Sequence, residues 1–167
     1  NSLGTELGVK AFSSYDGILE ATDAIVLCVP NNLHADLATR ALAAGKHVLV
    51  EYPLCLKQEE TDPLVCAAKT SQRVLMVGNT IIHESPYQYI EKHLTSKEDI
   101  VSAVSCVALY DENLAQTWYM DPTQSGSCFT AYHYHHIEYY RRLLGEIAWV
   151  HACDESRPDP ANSRFLS

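Results

Sequence analysis

DAIVLCVPNNLHADLATRALAAGKHVLVEYP, residues 23 to 53, decides the fold. Ala24 to Val29 is continuously apolar, the texture of a strand covered on both faces, and Pro30-Asn31-Asn32 ends it. His34 to Ala44 places Leu33, Leu37, Ala41 and Leu42 near one helical face, and Gly45 stops that helix. His47 to Val50 forms the next strand, which closes on the charged Glu51. Strand, helix, strand is one turn of an open α/β sheet, whose functional edge lies at the strand ends.

Outward from this unit, Gly8 to Phe12 is a short apolar stretch, and a helix begins near Tyr15 with Ser14 or Asp16 as its cap. Leu56 to Thr70 predicts a helix that carries Pro63 near its first turn or breaks there. Val74 to Val77 is a third strand, closed by Gly78-Asn79, and Pro86 to Leu94 is a helix with an aromatic and apolar stripe at Tyr87 and Ile90. From Ile100 the texture changes. Residues 100 to 110 alternate like a long strand, 111 to 127 read as a loop, a Tyr/His-rich helix runs to Leu144, and Ile147 to Cys153 reads as another strand. Residues 154 to 167 read as a loop or tail.

Twelve basic against 21 acidic residues give the 167-residue chain a formal charge of -9, a sign that discourages contact with nucleic acid or anionic membrane. The longest basic run is Arg141-Arg142. Cysteines at 28, 55, 66, 106, 128 and 153 show no CxxC spacing and read as small buried hydrophobes in a reducing compartment. No segment approaches the roughly 18 apolar residues of a membrane span, so the expectation is a soluble, cytoplasmic protein.

Four ordered segments resemble the Gfo/Idh/MocA oxidoreductases, named for glucose-fructose oxidoreductase and inositol dehydrogenase. They are Asp23 through Cys28-Val29-Pro30-Asn31-Asn32-Leu33-His34, then Ala43 through Glu51-Tyr52-Pro53, then Met76-Val77-Gly78-Asn79, and finally Trp118 through Asp121-Pro122, Ser125-Gly126-Ser127, His135-His136-Ile137-Glu138 and Leu143-Leu144-Gly145-Glu146. The resemblance implies a Rossmann domain followed by a domain with a large, mostly antiparallel sheet that often forms a dimer interface. It also implies NAD(P) chemistry on sugars, cyclitols or related compounds. The expected fold is therefore α/β: an incomplete Rossmann-like parallel sheet over 1-80, followed by part of an α+β domain over 81-167.

Set beside that family, residues 1 to 22 hold only Gly4, Gly8 and Gly17, with no G-x-G-x-x-G to cradle a pyrophosphate at a helix N-terminus. The chain then reads as a fragment or a trimmed homologue, with bare sheet edges that favour a homodimer, a higher oligomer or a homologous subunit.

The site residues implied by the resemblance also depart from it. The family's Glu-Lys-Pro is here Glu51-Tyr52-Pro53, and a phenol with pKa near ~10 donates a proton without an ammonium's charge. The acid of the second motif is Ala131, and His133 stands where glycine is usual, while His135 keeps the histidine position. Around it lie Tyr132, Tyr134, His136, Glu138, Tyr139 and Tyr140. Three readings of this cluster stay open: ligation of haem, iron or zinc through His133 and His135, a general acid/base pocket with Glu138 orienting His135, and an aromatic core or interface.

The catalytic candidates are thus His135, Tyr52 and His133, and the substrate-binding candidates His136, Trp118, Tyr132 and Glu138. Pro30, Asn31, His34 and Glu51 are candidates for the cofactor edge, with bracing of the following helix the competing role for His34. The expected function is an oxidoreductase-like protein that does not bind NAD(P) normally. Its Tyr/His pocket binds or transforms a small molecule, with haem or a transition metal as candidate cofactor. The alternatives are an NAD(P)-dependent oxidoreductase with Tyr52 as proton donor, and a non-catalytic partner of a full-length homologue.

Overall fold

A computed structural model describes residues 2–94, 100, 102, 104, 117–126 and 134–151. It divides into two compact units, Asn1–Gly78 and Asn79–Ser167.

The first unit runs α1 (Ser2–Leu7), α2 (Tyr15–Ala21), β1 (Ala24–Leu27), α3 (His34–Ala43), β2 (His47–Glu51), α4 (Thr61–Ser71) and β3 (Leu75–Gly78). The strands are parallel in the order β1-β2-β3, so the Rossmann-like sheet expected from residues 23 to 53 is present. Strand alternation puts Ile25, Leu27, Val48 and Val50 on one face, where they meet Ala38, Ala41 and Leu42 of α3 and Leu64 and Ala68 of α4. Complete burial of a side chain such as Leu42 contributes about 1.5–3 kcal/mol.

Local chemistry sets the helix ends. Ser14 Oγ accepts from the Gly17 amide and caps α2. Past α3, Lys46 N–H donates to Ala41 O and Gly45 N–H to Leu42 O, a paired closure that needs the left-handed backbone Gly45 adopts at φ 73°. Pro63 is the third residue of α4, where its missing N–H breaks no helical bond. The expected inner face of α3 holds at Leu37, Ala41 and Leu42, whereas Leu33 is exposed and His34 and Ala38 join the interior.

Among the described residues, the opposite sheet face is covered only in part. Val26, Leu49 and Met76 are register partners across the three strands, with Val26 62% and Met76 51% exposed. The same alternation corrects the expectation of buried cysteines. Cys28 and Cys66 are exposed and Cys55 is half-buried, because Cys28 follows Val26 on the partly covered face and Cys66 lies between the inward Leu64 and Ala68 of α4. Cys106, Cys128 and Cys153 lie outside the described residues.

The second unit contains a short 3-10 turn (Thr80–His83), α5 (Ser85–His93), a second turn (Trp118–Met120), α6 (Pro122–Ser125) and α7 (Tyr134–Leu144). Tyr87 of α5 meets Tyr139 of α7 edge to face at 4.1 Å, and Arg142 reaches Glu91 at 3.4 Å. Most of the strand expected over 100–110 and the tail over 154–167 lie outside the described residues, and no antiparallel sheet is found among the described ones. Ile147 to His151 are described and form no strand, with Trp149 77% and Val150 73% exposed. An extended segment becomes a strand only beside a hydrogen-bonding neighbour, and the described residues supply none there.

Candidate functional site

Parallel pairing brings the carboxyl ends of β1, β2 and β3 to one edge of the first unit. That edge carries Pro30 and Asn31 after β1, Glu51 and Tyr52 after β2, and Gly78 at the end of β3. Asn31 is buried, whereas Pro30, Glu51 and Tyr52 are half-exposed. Glu51 is the register partner of Gly78, and a Cβ at residue 78 would stand 3.0 Å from Glu51 Oε2. Glycine therefore gives the carboxylate its room. The Tyr52-Pro53 peptide is cis.

His34 organises this edge from below. Its side chain is wholly buried, with Nδ1 2.7 Å from the Pro53 carbonyl oxygen and Nε2 3.0 Å from that of Val29. A neutral imidazole donates to only one such oxygen and an imidazolium to both. The ring thus pins the loops after β1 and β2 and exposes no atom to a ligand.

In the second unit, His135 is half-buried at the start of α7, and its Nδ1 lies 2.8 Å from Asn79 Oδ1. Glu138, the expected orienting partner, is gripped by Arg141 through Nε at 2.9 Å and Nη2 at 3.2 Å. Those hydrogen bonds hold the Arg141 guanidinium above its ordinary range. Burial, then the Glu138 charge, pushes the Tyr134 phenol up. His136 is half-buried on α7, and Trp118 stacks on Tyr119 at 4.1 Å. Tyr132 and His133 lie outside the described residues. In the sequence Asn79 is a strand terminator and the last residue of the Met76-Val77-Gly78-Asn79 match, and its contact with a residue 56 positions away leaves no local signal.

Among the described residues, no group of three or more His, Cys, Asp and Glu is gathered where a metal ion is held. The described part of the Tyr/His cluster is instead spread along a helix whose side chains engage Asn79, Arg141 and Tyr87.

The Gfo/Idh/MocA oxidoreductase family, described by its NAD-binding Rossmann fold, matches residues 2–79. UDP-N-acetylglucosamine 3-dehydrogenase of Acidithiobacillus ferrooxidans is 33% identical over 90 residues, covering 54% of this chain and 29% of that protein. The dTDP-3,4-didehydro-2,6-dideoxy-alpha-D-glucose 3-reductase of Streptomyces violaceoruber is 37% identical over 98 residues, covering 58% and 27%. Biliverdin reductase of Synechocystis, solved with biliverdin and NADP+, shares the fold at a TM-score of 0.79 and 24% identity, over 95% of this chain and 51% of that one. The chain spans less than a third of the length of these two curated relatives.

These matches overturn the expectation of an oxidoreductase-like protein without normal NAD(P) binding, and with it haem or a transition metal as cofactor. The matched residues are those of an NAD-binding fold, NADP+ is bound in a protein of the same fold, and no metal cluster is found among the described residues. The error has a physical origin. A dinucleotide lies across several strand ends, so the glycines lacking from residues 1 to 22 concern the pyrophosphate alone and leave the edge at Asn31, Glu51 and Gly78 unaddressed.

Proposed function

Since residues 2–79 belong to the Gfo/Idh/MocA oxidoreductase family, with its NAD-binding Rossmann fold, we propose that this chain serves an NAD(P)-dependent oxidoreductase acting on a sugar-like hydroxyl or carbonyl compound. The observation that carries this reading is the convergence of Pro30-Asn31, Glu51-Tyr52 and Gly78 at one carboxyl edge of a parallel sheet, where ligands of open α/β folds bind. The donor set suits the cofactor: an amide, a carboxylate and a phenol meet ribose hydroxyls and a carboxamide without a competing cation. Pro30, Asn31 and Glu51 would hold the nucleotide, with His34 fixing the two loops that present them. Bound there, NAD(P)H supplies a hydride.

Tyr52 donates the proton. A phenol is protonated at neutral pH and gives its hydrogen to a developing alkoxide, which favours the reductive direction. His135 is the acid/base of the second unit, and Trp118, His136 and Glu138 belong to the substrate side. The sugar-nucleotide substrates named for two relatives support the substrate class. We further place a domain boundary at residues 80/81, ahead of an α+β domain with a mostly antiparallel sheet, and a homodimer as the assembly. The apolar Trp149 and Val150, exposed in this chain, support that assembly.

Titration of the full chain with NADPH and with NADH, followed by nucleotide fluorescence, tests the reading. Saturable binding that weakens about tenfold in Glu51→Ala, the loss of roughly one charge-assisted hydrogen bond, is expected. Absence of binding by either nucleotide up to millimolar concentration overturns it.

A further inference from the structure

We propose that Gly78 is a positioning residue for the nucleotide: by lacking a side chain it leaves the space in which the Glu51 carboxylate lies to receive the cofactor. This rests on the reading of Glu51 as a nucleotide-binding residue given above, and names what gives that residue its place.

Glu51 is the last residue of β2 and Gly78 the last of β3, and the two are register partners in a parallel pair. Val50 is turned into the core, so Glu51, one position further along the strand, carries its side chain on the other sheet face. A Cβ at residue 78 would stand 3.0 Å from Oε2 and 3.4 Å from Cδ of that side chain. The first distance is tighter than an ordinary van der Waals contact. The Glu51 carboxylate thus lies against the end of β3, and residue 78 admits it there because it has no Cβ.

Nothing in the backbone asks for glycine at this position. Among the described residues the glycines with positive φ are Gly8, Gly45, Gly126 and Gly145, so Gly78 lies outside the left-handed region. A glycine within a strand otherwise costs stability, through chain entropy and lost side-chain packing, and marks a place where another group comes close. Here that group is the Glu51 carboxylate. It is the far end of a flexible, half-exposed side chain, so an added methyl group moves the carboxylate to another rotamer and leaves both strands where they are. Sheet geometry and carboxylate position are therefore separable by substitution.

Two measurements on the full chain test the proposal. Through-space proton NMR on the nucleotide-free protein is expected to show contacts between the Gly78 α-protons and the Glu51 γ-methylene. Gly78→Ala is expected to change the Glu51 rotamer while the protein stays folded. In titration with NADPH or NADH, Gly78→Ala is expected to weaken binding about three- to tenfold, no more than Glu51→Ala does, and to add nothing in the Glu51→Ala background. Unchanged affinity in Gly78→Ala, losses that add up in the double variant, absence of the contact in the unmodified protein, or a Gly78→Ala chain that does not fold each overturns the proposal. An unmodified chain that binds neither nucleotide, or a Glu51→Ala chain that binds as tightly as the unmodified one, overturns the reading beneath it and takes the proposal with it, even where the contact between the two residues stands.

Discussion

His34 Nδ1 and the Pro53 carbonyl oxygen stand 2.7 Å apart, joining a helix start to a loop 19 residues further along the chain. The second nitrogen of the same ring faces the Val29 carbonyl at 3.0 Å. A single buried imidazole therefore ties the ends of two neighbouring strands to α3. His34→Ala removes both contacts and leaves a cavity in an interior site, and is expected to cost about 3 kcal/mol of stability. Chemical denaturation of the two proteins measures this. His34→Asn, able to serve one carbonyl, is expected to fall between them, and equal stability of all three would show that neither the ring's packing nor its contacts stabilise the fold.

Tyr139 presents the opposite case. Its ring is buried against Tyr87, yet its hydroxyl is a buried atom with no hydrogen-bond partner among the described residues. Burial raises its pKa, as desolvation does for any phenol without compensation. Tyr139→Phe keeps the ring and discards the unsatisfied hydroxyl, so the thermal midpoint is expected to stay or rise, by the equivalent of up to about 1 kcal/mol. A clear fall in Tm would reveal a bond made by that oxygen.

Asp121 supplies a pH-dependent element. Its carboxylate accepts from Thr123 Oγ1 at 2.6 Å, Gln124 Nε2 at 2.7 Å and Thr123 N at 2.9 Å, and these bonds hold its pKa below the ordinary 3.8. A group whose folded pKa is depressed contributes stability above its unfolded pKa and loses it as pH falls through the folded value. The Pro122–Ser125 turn is accordingly expected to hold at neutral pH and to loosen only below the usual carboxylate range. Carboxyl-carbon NMR should give an Asp121 midpoint under 3.8, with the Thr123 amide following the same curve. An unshifted midpoint would refute the cap.

Legibility from sequence followed the range of the interaction. The run from Ala24 to Glu51 was readable because strand texture, helical spacing and the Gly45 stop are local signals, and the Ser14 cap and Pro63 placement belong to the same class. Helix α1 was missed; Ser2–Leu7 has neither a charged first turn nor a basic last turn to announce it. The interior position of His34 and Ala38 in place of Leu33 was hidden, because a polar ring enters a core only when distant carbonyls receive it. The Asn79-His135 pair spans 56 residues, and only the folded chain brings it together. The cofactor is hard to read from sequence for a related reason: a nucleotide site is distributed over several strand ends, so the glycine-loop segment alone does not decide it.

The exposure of Val26 and Met76, on either side of the half-buried Leu49, has a consequence for handling the polypeptide in solution. Parallel sheets are stable when hydrocarbon lies on both sides, and here the apolar Val26 and Met76 meet water. Light scattering should therefore rise with protein concentration and with added sulfate, which strengthens the drive to hide such surface. Swapping Val26 and Met76 for threonine should delay that onset while leaving the interior side of the same strands untouched.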